Sequence, residues 1–165
     1  MEMHRNQLAA AGAILAASAA IVAPALATPA RDFVRTEFST GLLEEVEVRA
    51  RNSDKWEVRV RTEEDTTLGL DRLAITDDGH SGWHTHAGIT MVTVIAGEVV
   101  WYDGNNPACP SKIYRVGESF VEPANSIHLV RTTGGTATFT AVQMRPAGTA
   151  GRLDADQPAG CPAFQ

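Results

Sequence analysis

Apolar and polar residues alternate along much of the chain after residue 28, with the period of two that is typical of strands. In residues 56–62, Trp56, Val58 and Val60 alternate with charged residues, which predicts a half-buried strand with a charged outer face. Further strands are predicted at residues 68–75, 90–95, 98–102, 112–116, 119–122, 127–132 and 136–144. Short strands at close intervals, separated by Gly and Pro, indicate an all-β sandwich or barrel.

Two of the intervening turns have the spacing of hairpins. Ala96-Gly97 would join residues 90–95 to 98–102, and Gly134-Gly135 would join residues 127–132 to 136–144. The first turn would bring four apolar residues face to face inside the barrel, as pocket candidates: Val92, Val94, Val99 and Trp101. Core filling is the simpler account of each of these four residues.

The first 27 residues have the layout of a secretory signal peptide. Residues 8–23 carry no charge, Pro24 ends this apolar run, and Ala25-Leu26-Ala27 is a small-x-small cleavage site before Thr28. The run is short of the roughly 20 residues that a membrane-spanning helix needs, so an uncleaved anchor is the weaker interpretation. We therefore expect a secreted or periplasmic protein, cleaved after Ala27 and without a membrane association once processed.

Composition and charge narrow the function classes. The 165 residues include 20 acidic and 14 basic side chains, for a formal net charge of −6, and 44% are hydrophobic. This length and apolar content fit one globular domain. Binding to nucleic acid or to an anionic membrane is not expected, because such binding needs clustered Lys and Arg.

The two cysteines, Cys109 and Cys161, lie in turn-like contexts beside proline. In an oxidising compartment, two such thiols are more typical of a disulfide than of free groups. A bond between them would close a loop of 52 residues and, in the chain-entropy model, stabilise the fold by about 4 kcal/mol.

The candidate chemistry lies in the histidines. His84 and His86 are two residues apart on extended backbone, so both rings project from one face, and His128 begins another predicted strand. Three neutral imidazoles that meet inside a small barrel would form a site for a divalent ion such as Zn, Fe, Mn, Ni or Cu. Spacing alone leaves open three scattered polar residues that ligate nothing.

The segments around these histidines resemble the two motifs of the cupin family. The residues that carry the resemblance are Gly79, His84, His86, Gly97, Gly117, Pro123, Asn125 and His128. The resemblance spans residues 79 to 132 and implies a double-stranded β-helix (jelly-roll) barrel, assigned here to residues 28–145, with a C-terminal tail at 146–165. More narrowly, residues 82–109 look like small secreted bacterial cupins of uncharacterised function, for which a homodimer is one possible assembly.

The chain departs from the family pattern at Thr90, where the family has a carboxylate ligand. The resemblance therefore implies a metal held by His84, His86, His128 and water. A divalent ion in such a site keeps its full charge, which favours an anionic or chelating ligand. A smaller departure is Asn125, at a position where the family has Gly.

Four other residues near the motifs have open roles. We expect His80, in a Gly-flanked loop, to be solvated rather than a ligand. Trp83 fits either a cover over the pocket mouth or outward packing. Glu122 and Gln143 could each supply a polar group to the site. The sequence does not determine whether their side chains lie on the inner or the outer face of the strand.

Two functions from different classes remain. One is a metalloenzyme, similar to cupin dioxygenases, that acts on a small anionic or dihydroxylated substrate by Lewis-acid catalysis or O₂ activation. The other is a non-catalytic module that binds a metal or a small ligand. The sequence offers no general base on the pocket face beyond the candidate ligands, which disfavours proton-transfer chemistry.

Overall fold

The computed structural model describes residues 27–164, and within this range the chain is all β. The predicted signal peptide lies outside the described residues except for Ala27. The strands are β1 Arg31–Leu43, β2 Val46–Ser53, β3 Trp56–Thr62, β4 Thr66–His80, β5 His84–Thr85, β6 Ile89–Ala96, β7 Glu98–Asp103, β8 Ser111–Arg115, β9 Ser119–Glu122, β10 His128–Arg131, β11 Ala137–Pro146 and β12 Leu153–Asp154. The described range contains no helix long and apolar enough to span a membrane.

Ten of these strands form one antiparallel sheet that curls into a nearly closed barrel. The sheet order is β12-β5-β10-β4-β11-β6-β9, with β1 paired to β4, and with β7 between β10 and β8. Because strands that are neighbours in the sequence are rarely neighbours in this order, the topology is that of a jelly roll. The predicted all-β double-stranded β-helix is confirmed.

The two predicted hairpins are wrong, although the strands themselves are close to their predicted positions. Strand β6 pairs with β11 and β9, whereas β7 pairs with β10 and β8. Only Gly97, with a φ of 69°, separates β6 from β7, which is too short for a two-residue hairpin loop. The chain instead turns here from one face of the barrel to the other, and β10 and β11 are likewise unpaired with each other.

Strand β4 runs further than the sequence predicts, and this changes the environment of His80. Asp77 and Asp78 adopt left-handed φ values of 51° and 59°, where the register with β1 shifts, so the strand bulges instead of ending. His80 then pairs with Arg131 of β10 and is only 2% exposed. The expectation that His80 is solvated is wrong.

Two apolar clusters hold the barrel together. The larger fills the interior and consists of Ile75, Val92, Val94, Val99, Phe120, Val130, Ala137, Phe139 and Ala141. The smaller contains Trp83 and Leu129 with the disulfide between Cys109 and Cys161, as predicted. This disulfide attaches the segment after β11 to the barrel.

Strands β2 and β3 form a separate two-stranded sheet. Strand β3 coincides with the predicted strand at residues 56–62, but its burial differs from the prediction. Trp56 and Val58 are 53% and 46% exposed, so this strand is not half-buried. The alternating pattern is correct for a strand, whereas nothing in the described chain covers its apolar face completely.

Candidate metal centre

Two strands and one connecting segment bring the predicted histidines together. His84 on β5 lies directly opposite His128 on β10, and His86 follows β5 by one residue. The ring centroids lie 4.3 Å apart for His84 and His128, 4.9 Å for His84 and His86, and 5.1 Å for His86 and His128. All three side chains are buried, and they can offer ligand atoms within 4.8 Å of one another.

Backbone carbonyls fix the orientation of all three imidazoles. The Nδ1 atoms of His84, His86 and His128 lie 2.9, 2.6 and 2.8 Å from the carbonyl oxygens of Gly82, Gly151 and Ser126. A carbonyl oxygen can only accept, so each Nδ1–H donates, and each neutral ring keeps the lone pair of Nε2. This outer set of hydrogen bonds is the arrangement that orients histidine ligands for a metal.

A buried carboxylate completes the cluster. Glu122 on β9 has one oxygen 3.2 Å from His86 Nε2 and the other 3.1 Å from His128 Nε2. His128 Nε2 is fully buried, and its contact with Glu122 lies outside hydrogen-bonding geometry, so this nitrogen has no hydrogen-bond partner. Lone pairs that face a carboxylate at this distance repel each other unless a cation lies among them.

Glu122 lies beside the position where the family ligand is missing. Thr90 on β6 is directly opposite Glu122 in the β6–β9 register, and both side chains line the same cavity. A carboxylate on the neighbouring strand therefore lies beside the position where the family has its carboxylate ligand. Three imidazole nitrogens and one carboxylate suit a divalent transition metal, so the residues present fit such an ion.

The charge states agree with this arrangement. Burial lowers the pKa of His84 well below its usual range, and the neighbouring His128 and Arg152 lower it further. Burial raises the pKa of Glu122, but positive charge and donated hydrogen bonds from His128 and His86 outweigh burial and hold the pKa of this carboxyl well below its usual range. That lowering requires a proton on Nε2 of these rings, and a bound cation would replace those protons when the rings are neutral. His84 is therefore neutral at neutral pH, and Glu122 is ionised when a cation or a protonated imidazole lies beside it.

The segment after β11 closes over the centre. We call residues 149–161 the strap; it carries Gly151, and β12 within it pairs with β5, the strand of His84. Gln143 Nε2 donates a hydrogen bond of 3.1 Å to the Gly151 carbonyl that also accepts from His86. Arg152 lines the cavity beside the histidines. The sequence gives no signal for Gly151 or Arg152, because this segment has no strand periodicity.

The remaining candidates have different positions. Thr90 and Val92 line the cavity, whereas Val94 and Val99 lie in the apolar cluster that fills the barrel. Trp101 packs against that cluster, and its ring stacks on His128 with centroids 6.4 Å apart. Trp83 is completely buried in the smaller cluster and does not cover the cavity mouth.

The loop before His128 explains one departure from the motif. Asn125 has a φ of 59°, in the left-handed region where glycine is favoured and Asn is tolerated. Its backbone N–H donates a hydrogen bond of 2.8 Å to the carbonyl of His86. Asn125 therefore adopts the conformation that the family's glycine provides, and it links the loop before His128 to His86.

A comparison with protein families agrees with this motif. A family model for the cupin domain matches residues 73–142, which contain all three histidines and Glu122. No curated protein matches the chain. Similar solved structures include a cupin-like protein from Thermotoga maritima (11% identity, 56% of this chain and 77% of that chain, TM-score 0.48).

Two further similar structures belong to proteins that are matched over less than half of their own length. One is a cupin 2 conserved barrel domain protein from Leptotrichia buccalis, with 19% identity over 67% of this chain and 43% of that chain, at a TM-score of 0.43. The other is the DMSP lyase DddQ from Ruegeria pomeroyi, with 16% identity over 52% of this chain and 42% of that chain, at a TM-score of 0.47. The chain spans less than half the length of these two proteins. By its family match, its jelly-roll barrel and the positions of its motifs, the chain belongs to the cupin superfamily.

Proposed function

We propose that this protein binds a divalent transition-metal ion through Nε2 of His84, His86 and His128, with Glu122 as a fourth ligand. The observation that carries the proposal is the set of three buried imidazoles whose Nδ1–H groups are all committed to backbone carbonyls. In the neutral rings, the Nε2 lone pairs therefore face one another and the Glu122 carboxylate. A bound ion would supply Lewis acidity and, in the case of iron, redox chemistry with O₂.

The chain's own residues hold this centre and restrict access to it. The carbonyls of Gly82, Ser126 and Gly151 keep the protons on Nδ1, and the negative charge of Glu122 cancels one positive charge of the ion. The ring of Trp101 lies beside His128, with the centroids 6.4 Å apart and the planes inclined by 24°. His84, His86 and Glu122 line a cavity of about 380 Å³, which is the size of a small-molecule site.

The enzyme version of the proposal is an oxygenase-like activity on a small anionic or dihydroxylated substrate. Among the described residues that line the cavity, the acidic groups are already engaged: Asp71 and Glu37 lie 2.9 and 3.3 Å from Arg35, and Glu122 contacts two histidines. A reaction that relies on a free protein base is therefore disfavoured. The same observation supports the second candidate, a metal-dependent binding module without turnover.

Export is a further part of the proposal. It is supported by the apolar run at residues 8–23, the cleavage site at Ala27, and a disulfide whose formation needs an oxidising compartment. Intact-mass measurement of exported protein should give a chain that begins at Thr28. A retained Met1 would contradict this assignment.

Metal titration tests the centre directly. Metal-free protein is titrated with Zn²⁺ and, anaerobically, with Fe²⁺. His84→Ala, His86→Ala and His128→Ala should each lose most of the affinity, since two imidazoles hold a labile ion poorly. His80→Asn is the matched control, because Asn can still accept the hydrogen bond that Gly82 N–H donates to His80 Nδ1. If the three alanine variants bind like the unmodified protein, the metal site is not at these histidines.

A rescue experiment tests the role of Glu122. Glu122→Gln keeps the size but removes the charge, and should weaken Zn²⁺ binding by at least about tenfold. Because Thr90 lies opposite Glu122, Thr90→Glu in the Glu122→Gln background should restore much of the affinity. Unchanged affinity in Glu122→Gln would show that Glu122 is not a ligand.

Elemental analysis of protein purified from its native compartment separates the two functions. Bound iron supports the oxygenase-like enzyme, and the purified iron protein should then consume O₂ with a suitable substrate. Stoichiometric zinc without turnover supports the binding module. Absence of any metal in the purified protein would contradict both.

A further inference from the structure

The charged side chains around the cavity balance one another before any ion is bound. In the described part of the chain, the cavity is lined by three guanidinium groups and three carboxylates: Arg35, Arg145, Arg152, Glu37, Asp71 and Glu122. A divalent ion at the histidines would therefore add two positive charges, of which the mostly exposed carboxylate of Asp154, 2.8 Å from Arg152, offsets one. The partly buried space would keep an excess of positive charge. Such a cavity favours an anionic ligand over a neutral or cationic one.

Of these guanidinium groups, Arg152 is the one available to a ligand near the centre. Arg35 lies 2.9 Å from Asp71 and 3.3 Å from Glu37, so its charge is already compensated. Arg145 Nε donates a hydrogen bond of 3.1 Å to the Thr149 carbonyl, which holds the start of the strap.

Arg152 has spare hydrogen-bonding capacity. Its Nε donates to Asp154 Oδ1 at 2.9 Å, and Asp154 is mostly exposed. Arg152 Nη2 is buried and, although 2.8 Å from the same oxygen, makes no hydrogen bond within the described residues. Arg152 directly precedes β12, in which Asp154 pairs with His84, and its side chain lines the same cavity as His84 and Glu122.

The rest of the cavity defines the remainder of the ligand. Its walls include Phe33, Leu73 and Phe139, which can pack against an apolar body. The Thr90 hydroxyl lines the same cavity, is buried, and has no hydrogen-bond partner. It can bind a second polar group of a ligand, such as a hydroxyl or keto oxygen.

Building on the proposed metal function, we propose that the cavity binds a small organic carboxylate whose anionic group pairs with the guanidinium of Arg152. A guanidinium matches the planar geometry of a carboxylate. A phosphate would need donors for three oxygens, whereas this site offers few donors and several apolar walls. The ligand class is therefore a carboxylate with a short aliphatic or aromatic body and one further oxygen for Thr90.

The test uses full-length processed protein loaded with Co²⁺, with the affinity of each probe measured by isothermal titration calorimetry. The visible absorption of Co²⁺ checks that the ion stays bound. The probes are salicylate and pyruvate, each compared with its neutral amide, salicylamide or pyruvamide, and with inorganic phosphate. At least one carboxylate should bind about tenfold or more tightly than its amide. Arg152→Gln should lower the affinity for that carboxylate by about tenfold to hundredfold, as expected for loss of a hydrogen bond to a charged group. Co²⁺ affinity should stay within a few fold.

Two variants make the result specific. Arg152→Lys keeps the charge but loses the planar guanidinium. Its carboxylate affinity should therefore lie between that of Arg152→Gln and that of the unmodified protein. Arg72→Gln removes an equivalent charge from an exposed position that does not line the cavity, and should bind carboxylates normally.

The outcomes separate this inference from the metal function on which it rests. Equal carboxylate affinity in Arg152→Gln and in the unmodified protein, with Co²⁺ still bound, would overturn the role of Arg152 alone. Phosphate or the amides binding as tightly as the carboxylates would overturn the ligand class. Co²⁺ that binds equally to the His128→Ala variant would overturn the proposed metal centre, and the carboxylate site with it.

Discussion

The barrel interior has two regions of opposite chemistry, and strand β6 passes through both. Its inward residues run from Thr90, beside Glu122, through Val92 to Val94. Around Val94 the interior is apolar, with Val99, Ala137 and Phe139 almost completely buried. Around Thr90 the interior holds three imidazoles and a carboxylate that are buried to a similar degree.

This difference indicates which region stabilises the fold and which one carries function. Burial of apolar side chains contributes roughly 25 cal/mol per Å² to stability, so the region around Val94 stabilises the barrel. Burial of a carboxylate and of unpaired polar atoms costs free energy. A sequence that keeps such groups inside a barrel is consistent with a binding site there.

The largest expected effect comes from emptying the apolar region. Ile75→Ala should lower the free energy of unfolding by about 2–5 kcal/mol, because Ile75 is completely buried in the apolar cluster and does not line the cavity. Urea denaturation of metal-free protein measures this loss. Metal affinity of the fraction that remains folded should be little changed. Parallel losses of stability and metal affinity would show that the two regions are not separable.

The disulfide should affect both regions, but in different ways. Replacing Cys109 and Cys161 together with Ala should cost roughly 2–4 kcal/mol of stability, for a sequence separation of 52 residues. It should also weaken Zn²⁺ binding by about tenfold, because the strap carries the Gly151 carbonyl that orients His86. Reduction of the unmodified protein with dithiothreitol should reproduce both changes. Unchanged Zn²⁺ affinity would mean that the pairing of β12 with β5 holds the strap by itself.

A single substitution in the polar region should raise stability. Thr90 has a buried hydroxyl without a hydrogen-bond partner, and Val has nearly the same shape. Thr90→Val should therefore stabilise the metal-free protein by about 1 kcal/mol. Thermal unfolding with Phe139→Leu as a comparison from the apolar region checks the sign. A destabilised Thr90→Val protein would show that the hydroxyl has a partner in solution.

Much of the fold and part of the site could be predicted from the sequence. Alternation placed most barrel strands within a few residues, and the motif spacing selected the three histidines that the structure brings together. These features depend on local periodicity and on a motif with fixed spacing. Both are present in the residues themselves.

The strand pairing and the rest of the site could not be predicted, for a physical reason. In a jelly roll, consecutive strands lie in different parts of the sheet, so a Gly-containing turn between two strands does not imply that they pair. The position of Glu122 opposite Thr90 depends on the β6–β9 register, which is a tertiary property. The contribution of Gly151 depends on how the strap packs, which its composition does not indicate.

Burial, too, does not follow from the sequence pattern, as the hairpin of β2 and β3 shows. A matched pair of substitutions tests how exposed its apolar face is. Val48 on this hairpin is 50% exposed, whereas Val99 in the apolar region is completely buried. Val48→Thr should change the free energy of unfolding by no more than about 0.5 kcal/mol. The identical change at Val99 buries a hydroxyl without a partner and should cost about 1–3 kcal/mol. The residue type is constant in this pair, so burial alone should account for the difference.

If Val48→Thr costs as much as Val99→Thr, the apolar face of the hairpin is covered in solution. Sedimentation velocity over a range of protein concentrations would then show whether a second copy of the chain covers it.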